Sequence, residues 1–428
     1  MAHTYLNLLV ITCLCLIGWG VIRVERIYQY PFFMGSMFLS FVLPQAFALT
    51  DNPGPVNQVA LERVLLVSCL CAASCLIGYE FKPNRKWLAQ LNIIVDERKL
   101  FRGGIVLMAQ GWFFNFLLSR TTPDIAANGN WTGPATIYLF LAQVGNIAFG
   151  IFLLQAWKRP NAINIICTAI SASPLIDAVL KGRRQPTMTL AIIIGLSLWL
   201  VHRRIPPRWL VITGISVMAF LIPLFGALRG DFWNLVFSGN WEAVISSAQN
   251  AFAIQQKGEI LELRNAALFM DVVDKTGLYG YGGGWWDGIV FQYVPGQLVG
   301  FEFKKSLQFN FREKYDELLL NLYAYRIPNG TTPTGIADSF TEYGYFGCIT
   351  FAFIGYIFKN LWVSAVYYKS IFSRLLYLGL ISPAMIGLTH GIGAFIQQAI
   401  FQVIFLSLVV HYSKIKHPFF YNEWGNIS

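Results

Sequence analysis

Apolar runs long enough to cross a bilayer recur from one end of this chain to the other. They fall at about 5–22, 31–49, 60–79, 103–119, 135–157, 161–180, 186–201, 209–228, 341–359, 373–389 and 392–411. About 18 predominantly apolar residues suffice for a helix to span the hydrocarbon core. Lipid offers no partner to backbone N–H and C=O groups, so only helices or a closed barrel can cross it. A barrel would show segments of about ten residues with alternating hydrophobicity, and these are absent. Composition agrees: 55% of the residues are hydrophobic and 13% are charged, unlike a soluble globular chain. The expected fold class is an all-α polytopic membrane protein of about eleven transmembrane helices (ten to twelve). It divides into spans one to eight (1–228), one large loop with short helices (229–340), and spans nine to eleven with a tail (341–428).

The connections between spans set an expected orientation. Arg23 and Arg26 follow span one; Lys82, Arg85, Lys86, Arg98, Lys99 and Arg102 follow span three; Lys158 and Arg159 follow span five. His202, Arg203, Arg204 and Arg208 follow span seven, Lys369 and Arg374 follow span nine, and Lys414 and Lys416 follow span eleven. Every odd-numbered exit is basic, which places these exits in the cytoplasm, the N-terminus outside and the C-terminus inside. The connections at Thr50–Pro55 and Thr121–Asp124 are polar and turn-rich instead. The N-terminus lacks the basic region and small-residue cleavage site of a secretory signal, so its first apolar stretch reads as a retained span.

The net charge of +10 follows from those basic exits. No basic run is interleaved with aromatics in a soluble segment, which argues against nucleic acid as a partner. The seven cysteines lie in or beside apolar spans without metal-site spacing, so they read as packing residues.

One connection breaks the orientation rule. Lys181-Gly182-Arg183-Arg184-Gln185 joins spans six and seven on the face expected to be outside. Cations on that side call for a reason, and an anionic substrate supplies one. Arg offers a planar fork that binds two phosphate oxygens at once; snorkelling to lipid headgroups explains the same residues more simply. Arg229 at the end of span eight and His390 between spans ten and eleven fall on the same face. Asp177 is expected to pair with Arg183 or Arg184.

Within the long loop, 243–270 reads as helix, Thr276–Gly288 as turn, Phe309–Tyr325 as amphipathic helix and Asn329–Gly335 as loop. Arg312 sits among mixed charges, as on a solvated helix face. Arg326 precedes an irregular segment. Trp285 and Trp286 follow Gly282-Gly283-Gly284. Such rings stack on sugars, although an interfacial aromatic belt accounts for them equally. Asp338 and Glu342 are four apart and share one helix face. Each reads either as a complement to the start of its own helix or as a base for a sugar hydroxyl. His390, in a tight turn, reads as a structural residue or as a phosphate donor and proton shuttle.

Nucleotide-loop, zinc-protease and nucleophile-elbow motifs are absent, as are outer-face acid pairs suited to a metal. No cofactor or metal is expected. Few charges lie at mid-depth, whereas a pump or antiporter would need several.

Three features together resemble the bacterial oligosaccharide repeat-unit polymerases of the Wzy type, relatives of the O-antigen ligases. They are the Arg-bearing start of a middle span, Lys181–Gln185; the large late loop rich in Arg and aromatics; and the segment from Pro333 to Gly347 that leads into the next span. The layout extends over the whole chain, and the motifs over some thirty residues. The resemblance implies a GT-C-like membrane glycosyltransferase in the bacterial inner membrane. Its substrate would be a polyprenyl-diphosphate-linked oligosaccharide, met at the outer face. The growing glycan would pass to the non-reducing end of a new lipid-linked unit, with inversion and without a metal. Arg183 or Arg184, Arg229, Arg312 or Arg326, and His390 match in kind the residues such enzymes use. Asp338, Glu342 and His390 are candidates for the base. Lys181, Arg312, Trp285 and Trp286 are candidates for substrate binding. Membrane lipids, a chain-length regulator and a flippase are the expected partners. The competing classes are a ligase using another acceptor, a lipid-linked oligosaccharide transporter, and a structural component without chemistry.

Overall fold

A computed structural model describes residues 1–415 other than 123, 126–130, 133, 229–231, 258–260 and 329. Sixteen principal helices carry the described chain. In the first half they are α1 (Ala2–Ile22), α2 (Tyr30–Asp51), α3 (Gln58–Glu80), α4 (Glu97–Arg120), α5 (Pro134–Lys158), α6 (Ala162–Leu180), α7 (Arg184–His202) and α8 (Arg208–Ala227). The long connection contributes α9 (Trp241–Lys257), α10 (Glu262–Thr276), α11 (Gly283–Tyr293) and α12 (Phe311–Tyr323). Then come α13 (Thr334–Tyr343), α14 (Cys348–Val366), α15 (Ile371–His390) and α16 (Ile392–Ser413). The described strands are a two-residue antiparallel pair, Asp124–Ile125 with Trp131–Thr132.

Nine described stretches are long and apolar enough to cross a membrane, so the chain is a polytopic helical membrane protein. They are α1, α2, α3, α5, α6, α7, α13 with α14, α15 and α16. The further spans expected at 103–119 and 209–228 coincide with α4 and α8, both helical. The span expected at 341–359 is not one straight helix. It is α13, a 3-10 turn at Gly344–Gly347, and then α14.

Local chemistry fixes the span starts. Asn57 accepts a hydrogen bond from the Ala60 N–H at the start of α3, Asn161 from Asn164 at α6, and Ser370 from Ser373 at α15. Asp96 accepts from Arg98 and Lys99 at α4. Such a cap satisfies a donor the helix cannot, worth about 1 kcal/mol each. Between the spans the hydrophobic effect gives little, because lipid is as apolar as leucine. Close packing and hydrogen bonds hold the helices instead. At Gly78 of α3 a β-carbon would collide with the Ala352 backbone of α14, so only glycine permits this approach. Beside this crossing Tyr30 stacks on Phe358 at 4.8 Å, and Tyr377 donates to the Tyr28 carbonyl at 3.0 Å.

Contacts sort the connections onto two faces. On one, Arg203 reaches the Val366 carbonyl, Arg208 that of Ile22, and Lys158 pairs with Glu97. Arg26 and Arg203 also lie over the rings of Trp19 and Trp199. The basic exits therefore gather together. The opposite face carries the long connection and is called the cap face below.

The cap is fastened through α10, whose residues from Leu263 to Val273 are all buried. Gln45 of α2 accepts from the Leu263 N–H, and Arg264 donates to the Asn52 carbonyl at 2.7 Å. Arg63 of α3 pairs with Asp271 at 2.8 Å and also with Asp274. Asp271 is further held by Asn57, Lys275 and Tyr323. Burial pushes the Asp271 carboxyl up, yet hydrogen bonds from Lys275, Tyr323 and Arg63 outweigh this and hold its pKa down at about 2.

Two expectations for the cap are corrected. The helix expected over 243–270 is replaced by two, α9 and α10. The stretch expected as turn to Gly288 is helical from Gly283, for a reason that lies in the site described next.

Candidate functional site

The wall of the cap face is built on α13. Its apolar side, with Ile336, Ala337 and Phe340, faces the core and is fully buried. This packing turns Asp338 and Glu342, one helical turn apart, toward α11 and α16. Glu342 is 1% exposed and accepts from the Gly282 N–H at 2.5 Å. A β-carbon on Gly280 or Gly284 would collide with the same carboxylate, so the glycine run exists to let this turn close around it. Two backbone bonds, Gly280 N–H to the Thr341 carbonyl and Tyr281 N–H to that of Glu342, lock the turn. Glu342 thereby completes the N-terminus of α11, where a negative charge is favoured. That is why helix begins at Gly283.

Asp338 does the same for another helix. Its Oδ2 accepts from the Gly393 N–H at 2.9 Å, at the start of α16, and from Trp285 Nε1 at 3.1 Å. The sequence reading set it at the start of its own helix. It lies in the second turn of α13 and caps α16 instead. A third acid repeats the pattern: Asp287 accepts from the N–H groups of Phe309 and Phe311 at 2.6 and 3.0 Å, at the start of α12. These three carboxylates are thus engaged with helix termini. Trp285 packs edge-on against Tyr343 at 5.5 Å between ring centres, and Trp286 Nε1 donates to the Leu307 carbonyl.

The exposed cations lie beside this wall. Near Asp338, Arg312 pairs with Asp316 and lies over Phe269 at 5.0 Å. Arg326 is exposed on the strap leading to α13. Asn265 holds that strap through Tyr325 and Thr331, and Thr332 donates to the Thr389 carbonyl beside His390. His390 is exposed at the end of α15, its Nδ1 2.6 Å from Thr389 Oγ1.

The segment 181–185 comes to the same rim. Helices α7 and α15 run side by side, with Thr189 Oγ1 2.6 Å from Ser382 Oγ. One turn outward, Gln185 and Ile386 line a common cleft. The 181–183 segment immediately precedes α7, at the end of that helix that runs beside the His390 end of α15. Lys181, not an arginine, pairs with Asp177, at 2.6 Å. The reason is the helix repeat: Lys181 follows Asp177 by four residues in the same helical segment. Arg183 is exposed and makes no side-chain hydrogen bond or ion pair among the described residues; it stands at the N-cap of α7. The side chain of Arg184 and all of Arg229 lie outside the described residues. Among the described residues no group of three or more His, Cys, Asp or Glu side chains is placed to hold a metal ion.

The sequence reading missed three deeply buried charges. Arg63, Arg264 and Asp271 were not singled out, yet all three are under a tenth exposed. For Arg63 a signal existed: it is a cation inside an apolar span, and such residues are costly unless paired.

The fold and site define a polytopic helical membrane protein with a cap docked on one face and exposed cations beside it. No protein-family model matches the chain, and neither a curated protein nor a solved structure matches it.

Proposed function

We propose that the chain is a membrane glycan polymerase with a GT-C-like arrangement of eleven spans. It acts on polyprenyl-diphosphate-linked oligosaccharide at the outer face of the bacterial inner membrane, with its N-terminus outside and its C-terminus cytoplasmic. The supporting observation is the rim. Arg183 is exposed and unpaired among the described residues at the N-terminus of a 19-residue helix, with His390 at the adjoining end of α15 and Arg326 on the same face. A helix N-terminus with an arginine fork beside it suits a diphosphate.

The chemistry asks little beyond this. The acceptor hydroxyl oxygen bonds to the anomeric carbon as that carbon's bond to the diphosphate oxygen breaks. The electron pair leaves with the diphosphate, and the hydroxyl proton passes to a base. Direct displacement inverts the anomeric centre. The arginines meet the charge that develops on the leaving group, an effect worth about 2.7–4 kcal/mol per donor by analogy with oxyanion holes. His390, Asp338 and Glu342 are the candidates for the base.

The test is direct. Purified protein is incubated with a lipid-diphosphate-linked repeat unit, and the products are resolved by size. Chain lengthening is expected, with its loss in Arg183→Ala/Arg184→Ala while that variant stays monodisperse. Normal polymer length in the double variant would remove the diphosphate clamp. No lengthening by the wild-type protein on a native repeat unit would remove the polymerase.

A further inference from the structure

Beneath the rim, a solvent-open cleft lies between α5, α7, α15 and α16, with about 530 Å³ of space around its lining when the open solvent is included. It is lined by Asn146, Gln185, Thr189, Ser382, Gln398 and Gln402 together with aliphatic residues, and no lining residue is ionisable. The polar set is unusual for its place. Gln402 stands three turns inside a candidate membrane span and is only 6% exposed. Its amide makes no hydrogen bond among the described residues, and neither do those of Asn146, Gln185 and Gln398. Gly379 opposite makes the room: a β-carbon there would lie 2.7 Å from Gln402 Oε1. The two hydroxyls, Thr189 and Ser382, bond to each other.

Gln402 is the buried member of the set, and a carboxamide without a partner is costly in an apolar interior, so what fills the cleft beside it must supply hydrogen bonds. Each amide offers both a donor and an acceptor. Without a lining charge the cleft does not favour an ion over a neutral group. A neutral occupant rich in hydroxyls meets both conditions, since every hydroxyl also donates and accepts. The aliphatic residues suit the C–H edges of a ring.

We propose that this cleft seats an uncharged sugar ring, while the anionic end of the same substrate stays at the rim above. The choice of a sugar over other neutral polyols rests on the glycan-transfer reading; the uncharged hydrogen-bonding character of the cleft does not. The site thus separates charge recognition from hydroxyl recognition along the length of α7. Arg183 stands at its start, Gln185 in its first turn and Thr189 one turn further in.

Saturation-transfer NMR on the purified full-length protein in nanodiscs tests this. The probes are the methyl glycosides of glucose, galactose and N-acetylglucosamine, with inorganic diphosphate followed separately by its phosphorus signal. Transfer to ring protons of at least one glycoside is expected, with binding about tenfold weaker or worse in Gln398→Leu/Gln402→Leu and unchanged in Arg183→Ala. Diphosphate should show the opposite dependence. If the double variant does not remain monodisperse, Gln398→Leu alone carries the test, since that residue is only half-buried. Glycoside binding indifferent to these glutamines overturns the proposal. So does an absence of transfer to any glycoside, which would leave water as the occupant. Neither result touches the chain-lengthening assay, which judges the polymerase by itself.

Discussion

Two cation–aspartate contacts on the cap face have almost the same length and opposite meanings. Arg63 and Asp271 meet at 2.8 Å with side chains 7% and 2% exposed. Lys181 and Asp177 meet at 2.6 Å with both side chains 62% exposed. Distance does not separate them; surroundings do. The first pair has given up water and is held by a ring of further donors, so its charges are fixed parts of the fold. The second is largely exposed, so its attraction is screened and its lysine can turn to another anion. The lesson concerns Arg183 as well. A protein that binds an anion keeps its working cations out of ion pairs like that of Arg63, and Arg183 stands apart from any such pair.

The largest effect should come from breaking the buried contact. Asp271→Ala leaves the buried Arg63 with Asp274 as its carboxylate partner among the described residues. Removing one partner of a buried ion pair typically costs about 3–5 kcal/mol. The loss should appear as a lower unfolding midpoint in detergent and as looser docking of α10, read by proteolysis within the cap. A change under about 1 kcal/mol would mean that the cap is held by apolar packing alone.

A smaller effect should follow from acid. The folded pKa of Asp271 is held near 2, below its unfolded value. Its contribution is therefore fully present above the unfolded pKa and is lost as pH falls through the folded one. That contribution is about 2 kcal/mol, present at neutral pH and disappearing between roughly pH 4 and 2. Melting of wild type and Asp271→Asn across that range measures it: the wild-type advantage should shrink as pH falls. Parallel curves would show that Asp271 does not carry the acid sensitivity.

How far the sequence could be read follows the same division. The spans were legible because lipid forces apolar helices of a set length, and the gathering of basic exits on one face was legible from charge alone. The shape of the cap was not. Gly283 starts a helix because Glu342, about sixty residues away, accepts its first amides. Asp338 lies on the expected helix face but serves α16, whose start is 55 residues downstream. Arg63 and Asp271 are 208 residues apart. Periodicity and turn propensity describe neighbours in sequence, and these contacts are between strangers. The site divides the same way. The candidates on α11, α12, α13, α15 and the 181–183 segment do meet on one face. Which of them are consumed by helix ends and which stay available depended on the tertiary contacts.

The smallest effect completes the comparison. Asp177 precedes Lys181 by four residues, the favourable order for a helix pair, and such exposed pairs contribute about 0.3–0.5 kcal/mol. Asp177→Ala should therefore leave the unfolding midpoint nearly unchanged, in contrast to Asp271→Ala. It also frees the Lys181 ammonium beside Arg183. If the rim binds diphosphate, the variant should bind it as well as or better than wild type, and more so at low salt, where the added charge is less screened. Phosphorus NMR titration at two ionic strengths reads this. Weaker binding would mean that Asp177 holds the 181–183 segment in its working shape. The exposed pair would then be structural after all, and the contrast with the buried one would fail.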